Sequence, residues 1–189
     1  MPDILDIACS PVVNGIPQSH WKCDFKTFDF ESYPELKDIV LRFFAGEHFW
    51  VYLHGEPGRG KTHLAVALHR AIVQKVGWES TDSSTIIEWS ELCREVKKSF
   101  SNYSYEDLMD AYCEAETLIL DDVNGKLAEF QVRMLEDVIR NRFSLNRRLI
   151  ITSNEPFETF LSWFGAHEVS RIKSLCAACR MGGLDRRLA

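Results

Sequence analysis

Gly55, Glu56, Pro57, Gly58, Arg59, Gly60, Lys61 and Thr62 follow one another and fill the pattern G-x-x-x-x-G-K-[ST] in full. Glycines at these positions let successive backbone N–H groups turn inward around phosphate oxygens, where Cβ atoms would obstruct both the turn and the approach. Lys61 is long enough to reach β- and γ-phosphates, and the Thr62 hydroxyl is a ligand for Mg²⁺. His63 follows directly and completes the candidate nucleotide-binding stretch. About 60 residues further on, Leu118, Ile119 and Leu120 lead into the carboxylate pair Asp121 and Asp122. Nucleotide hydrolysis needs one carboxylate to hold Mg²⁺ and a second group to orient the attacking water. Asp121 is the candidate for the metal and Asp122 for the water. Alone, two acids after an apolar run read as a solvated turn; beside a phosphate loop they read as a hydrolytic pair. The same chemistry serves ATP and GTP, and the absence of an N-K-x-D guanine-reading signature favours adenine.

Such groups work only if a strand and a helix hold them, and the flanking pattern supplies both. His48 to Leu53 is a continuous apolar run too short for a helix, as expected of a strand buried on both faces. The helix after the phosphate loop carries Leu64, Leu68, Ala71 and Ile72 on one side and ends at Gly77. Ahead of them, Ser32, Pro34 and Glu35 have capping-box spacing, and Leu36, Ile39, Val40, Phe43 and Phe44 form a helix face closed by Gly46. Strands are expected over Thr85–Trp89, Thr117–Leu120 and Arg148–Thr152. Helices are expected from Ser90 to about Phe100, from Ser104 toward Glu116, over 127–143, and once or twice within 157–179. Strands alternating with helices predict a parallel sheet covered on both faces, and open sheets of that kind place ligands at the C-terminal ends of their strands.

The chain of 189 residues suits one compact domain, and 46% hydrophobic with 26% charged residues excludes a mostly disordered chain. Against 22 Lys and Arg stand 28 Asp and Glu, so the net charge of −6 argues against a surface built to wrap nucleic acid, though not against a local basic patch. No apolar run is long enough for a membrane span. The first residues lack the basic and apolar regions of a secretion signal, and six cysteines without one read as thiols of a cytoplasmic protein. Residues 1–30 are irregular, punctuated by Pro2, Pro11, Gly15 and Pro17, and read as an arm either packed on the body or free for a partner. Residues 31–189 read as the body.

These residues resemble the AAA+ family, specifically the branch of helicase loaders typified by DnaC and DnaI and of the transposition helper IstB. The resemblance runs from about Phe25 to Arg187. Its most specific element is Gly60, Lys61, Thr62, His63, Leu64, Ala65, which matches the branch's G-K-T-H-L-A. The segments Phe25–Phe30, Thr117–Gly125, Asn141–Phe143, Ile151–Asn154, Val169–Ile172 and Gly183–Arg187 resemble others. The resemblance implies a P-loop fold with a parallel five-stranded sheet sandwiched by helices and no C-terminal helical lid. It implies an ATPase using ATP and Mg²⁺, with Asn154 as first sensor touching the γ-phosphate or water. Arg171 is implied as an arginine finger offered in trans to a neighbouring subunit, and Arg187 as a second sensor. The implied partners are a replicative hexameric helicase, other copies of the chain and, through Lys97 and Lys98, single-stranded DNA. An IstB-like helper acting on duplex DNA and an ATP-dependent binding module without turnover are the alternatives. The short segment before the body departs from the loaders, whose substantial N-terminal domain grips the helicase.

Three further features have open readings. Cys176 and Cys179, three apart and taken as helical, share a face and read as buried thiols or as half of a zinc or redox site. Arg94, Lys97 and Lys98, and again Arg140, Arg142, Arg147 and Arg148, are basic clusters that read as solvated faces, with DNA contact the alternative at Lys97 and Lys98. Phe43, Phe44, Trp50, Tyr52 and Trp89 fall on apolar faces and are expected to pack in the core.

Overall fold

A computed structural model describes residues 16, 20–47, 49–76, 84–99, 105–183 and 185. Five strands form one parallel sheet: β1 (Trp50–His54), β2 (Thr85–Glu88), β3 (Thr117–Asp121), β4 (Arg148–Ser153) and β5 (Cys176–Arg180). Their order across the sheet is β2-β3-β4-β1-β5. The helices are α1 (Pro34–Ala45), α2 (Lys61–Val76), α3 (Trp89–Ser99), α4 (Tyr105–Glu114), α5 (Glu129–Ser144), α6 (Phe157–Leu161) and α7 (Ala166–Leu175).

Alternation along each strand splits the core into two layers. Val51, Leu53, Ile119, Ile150 and Cys179 face α1, α2 and the segment around Phe25 and Phe28. Trp50, Tyr52, Leu118, Leu120, Leu149 and Ile151 face α3 to α7. Burying each large apolar side chain contributes roughly 1.5–3 kcal/mol, so a sheet buried on both faces holds its register firmly. The five aromatic residues expected in the core are buried there. Two of them also keep a polar contact: Trp50 donates to the Arg147 carbonyl at 3.0 Å and Tyr52 to the Glu155 carbonyl at 2.9 Å. Among the described residues, no helix is long and apolar enough to cross a membrane.

Several local expectations are corrected. Residues 176–180 are a strand on the far side of β1, not the end of a helix. Three apart on a strand, Cys176 and Cys179 point to opposite layers, and they cannot share a metal or a disulfide. Ser32 does not cap α1; its hydroxyl donates to Asp29 at 2.5 Å and the N-cap is Tyr33, while Gly46 closes the helix at φ 81° as expected. Ser90 lies inside α3, whose first residue is Trp89, and donates to Glu88 at 2.6 Å. The strand ahead of the phosphate loop begins at Trp50 and extends to His54. His48, Gly77, Phe100 and Ser104 lie outside the described residues.

The cluster at residues 140–148 is not one solvated face. Arg142 is 0% exposed and donates to the carbonyls of Ala115 and Glu116, both at 2.7 Å, and of Arg148 at 2.6 Å. Arg147 donates to the Cys113 carbonyl at 2.7 Å, and the Arg148 guanidinium lies 5.0 Å from the centre of the Phe43 ring.

Candidate nucleotide site

The strand order brings the chemistry together. Because β4 lies between β1 and β3, the turns leaving these three strands open at one edge of the sheet. The turn after β1 carries the phosphate loop, that after β3 carries Asp122, and that after β4 carries Asn154. Between them lies a cleft of about 570 Å³, lined by His20, Cys23, residues Pro57 to His63, Asp122 and Asn154.

The loop is closely confined. Gly55 has φ 145°, and a Cβ there would lie 2.1 Å from the Met181 carbonyl oxygen. Gly60 has φ 89°, a backbone region costly to any residue with a Cβ. Lys61 opens α2 as expected and is 7% exposed. Its ammonium donates to the carbonyls of Gly55 at 2.7 Å and Glu56 at 2.9 Å, so its charge is held over the loop. Glu56 and Arg59 pair with each other at the rim.

Thr62, one residue into α2, places its hydroxyl 3.1 Å from both carboxylate oxygens of Asp121, which is not itself among the cleft-lining residues. The Thr152 hydroxyl donates to Asp121 Oδ1 at 2.6 Å and accepts the Asp122 backbone N–H at 2.9 Å. Burial pushes the Asp121 carboxyl above the usual carboxylate range, against the two hydroxyls that favour its ionised form. Asp122, exposed and at φ 62°, takes the left-handed conformation that Asp tolerates better than most residues. Hydroxyl and carboxylate oxygens converging beside a glycine loop are the hard donor set that Mg²⁺ takes with phosphates. These residues therefore fit a magnesium nucleotide, with Thr62 and Asp121 on the metal side and the loop amides and Lys61 on the phosphate side.

Other expected residues stand as follows. His63 lines the cleft, but its Nε2 lies 3.0 Å from Thr27 Oγ1 and 3.1 Å from the Asp24 carbonyl, tying α2 to the segment before α1. Arg171 is not among the cleft-lining residues. It is on α7, with Nη1 3.5 Å from Glu168 and its guanidinium 5.3 Å from the centre of the Phe143 ring. Arg187 lies outside the described residues. Lys97 is exposed on α3 over the Phe130 ring, 5.2 Å from its centre.

Thr152 was not singled out by sequence reasoning, although it belongs to the same short segment as Asn154. Its signal was register: Leu120 pairs with Ile151, which sets Thr152 beside Asp121. His20 and Cys23 gave no signal, because nothing local in an irregular stretch tells which body surface it will cover.

Comparison with known proteins gives one family model, described as IstB-like ATP binding protein, matching residues 19–172. A protein of Mycobacterium tuberculosis, described as an ATP-binding protein in an insertion sequence, is 28% identical over 147 residues, 75% of this chain and 55% of its own length. The replicative helicase loader DnaC of Escherichia coli is 21% identical over 168 residues, 85% of this chain and 66% of its own. The chain thus spans about half to two thirds of the length of these relatives. A crystal structure of the DnaC helicase loader superposes with a TM-score of 0.74 at 21% identity, covering 88% of this chain and 100% of that one, and so shares its fold.

Proposed function

The chain belongs to the IstB-like ATP-binding protein family of AAA+ fold, and from that premise we propose that it hydrolyses ATP and acts as a loader of a replicative helicase in the cytoplasm. The observation that carries the hydrolytic part is the meeting of Thr62, which lines the phosphate-loop cleft, with Asp121 at 3.1 Å. Bound Mg²⁺ would supply charge neutralisation at the phosphates. Loop amides and Lys61 hold the phosphates, Thr62 and Asp121 hold the metal, and Asp122 orients water while Asn154 faces the same cleft. Arg171 serves a neighbouring subunit, Arg187 acts as second sensor, and residues 1–30 are an arm to the ATPase body of 31–189. Exposed Lys97 and Lys98 on α3 offer a contact for single-stranded DNA.

The loader role is supported by the alignment with DnaC over 85% of the chain. A second reading, a transposition helper acting on duplex DNA, is favoured by the family model and the insertion-sequence relative. Pull-down with ATP from host lysate separates them. Recovery of a hexameric helicase supports the loader, ATP-dependent filaments on duplex DNA support the helper, and absence of turnover in every assembly leaves only a binding module.

A further inference from the structure

The two loops that carry Asp122 and Asn154 belong to different strands, yet one side chain joins them. Asn124 Nδ2 donates to Asp122 Oδ1, while Asn124 Oδ1 accepts the backbone N–H of Asn154. The Ser153 hydroxyl oxygen also lies 3.2 Å from Asn124 Oδ1. The receiving loop is itself braced. Ser153 Oγ donates to the Val123 carbonyl at 2.5 Å and accepts from Glu155 N at 3.0 Å, and Tyr52 fixes the Glu155 carbonyl.

Bridging these groups makes a specific chemical demand. An ionised carboxylate only accepts hydrogen bonds and a backbone N–H only donates, so the link must donate at one end and accept at the other. A side-chain amide does this; a carboxylate or a methyl group does not. Asp122 is exposed and at φ 62°, and the Asn124 amide gives its carboxylate a fixed partner.

We propose that Asn124 is a positioning residue that sets the Asp122 carboxylate relative to the Asn154 loop, so that both face the γ-phosphate end of the cleft in fixed relation. The proposal rests on the hydrolytic reading of Asp122 and Asn154. Asn124 itself is not among the cleft-lining residues, and its effect is expected on turnover, not on binding.

The test is steady-state ATP hydrolysis by the assembled full chain, with nucleotide affinity and melting temperature measured on the same samples. For Asn124→Ala, kcat falls about 10- to 100-fold, as a displaced catalytic group commonly costs, while KM for ATP stays within about twofold. Asn124→Asp separates the two ends of the bridge. It keeps an acceptor for Asn154 N–H but turns a negative charge on Asp122, so its kcat falls at least as far as that of Asn124→Ala. A role confined to bracing the Asn154 loop would leave Asn124→Asp active. Full kcat in Asn124→Asp, or a loss that lies in KM, overturns the proposal, and Asn124→Asp decides alone if the alanine variant does not fold. A wild-type chain without turnover in any assembly would remove the hydrolytic reading and this inference together. An active wild type with active variants removes this inference only.

Discussion

Lys61 and Asp122 sit at one cleft but are expected to fail differently when replaced. Lys61 provides a 7% exposed ammonium over the phosphate loop, and no neutral residue there can offset the charge of a triphosphate. Lys61→Ala should therefore abolish ATP binding, measured by titration of a fluorescent nucleotide. Asp122 is exposed and lines the same cleft without being part of the phosphate loop. Asp122→Asn should bind ATP nearly as well as the wild type and lose about 100-fold or more in turnover, the scale of a missing general base. Equal losses of affinity in both variants would contradict this division. Asp121 makes a third kind of claim, about stability. Burial raises its pKa in the folded chain, so the ionised carboxylate is disfavoured there relative to the unfolded chain. The penalty is absent below the ordinary carboxylate pKa and is fully present above the raised one. Asp121→Asn should thus melt higher than wild type at neutral pH without nucleotide, with the gap closing as the buffer is acidified. The same variant should lose the further rise in melting temperature that ATP with Mg²⁺ gives the wild type.

At the scale of elements, Arg142 shows how a charged residue can act as a structural part. Its guanidinium at the end of α5 satisfies carbonyls at the end of α4, at the entry to β3 and within β4, and burial lowers its pKa to about 10. Arg142→Ala would orphan several buried acceptors at once and should cost about 3 kcal/mol or more in chemical denaturation. Arg142→Lys should rescue little, because a single ammonium cannot span the same fan of carbonyls. In the sequence this arginine looked like one of four in a basic cluster, since charge spacing does not report burial. The phosphate loop, the acid pair, four strands and most helices were legible because they are local: periodicity, glycine spacing and a short apolar run are each read within a dozen residues. Strand β5 was not. Its residues Cys176 to Arg180 contain two alanines and no alternation, and they become a strand by pairing with β1, more than a hundred residues away in the chain. That pairing sends Cys176 and Cys179 to opposite layers and pushes their thiols up to about 12 and about 11. The buried Cys179 should not react readily with a thiol reagent before unfolding, and the pair should retain no zinc after dialysis; fast labelling at Cys179 in the native chain would contradict the strand.

At the scale of the whole molecule, Arg171 lies away from its own chain's cleft, held against Phe143 and Glu168 on the face formed by α5 and α7. In the proposed role, this guanidinium stabilises charge at the γ-phosphate of another copy. Turnover per chain should then rise with protein concentration, while nucleotide affinity stays nearly flat. Arg171→Ala should bind ATP as the wild type does and lose about 1,000-fold or more in turnover, the usual worth of such a finger. The decisive arrangement mixes two inactive variants. Lys61→Ala lacks a working phosphate site but still presents Arg171, whereas Arg171→Ala keeps the site but lacks the finger. With random assembly of equal amounts, roughly a quarter of head-to-tail contacts pair an intact site with an intact finger. Activity should therefore reappear on mixing, in proportion to that fraction, although neither variant works alone. If Arg171 serves its own chain, no ratio of the two restores turnover, and the face bearing Phe143 and Arg171 serves no neighbouring copy's site.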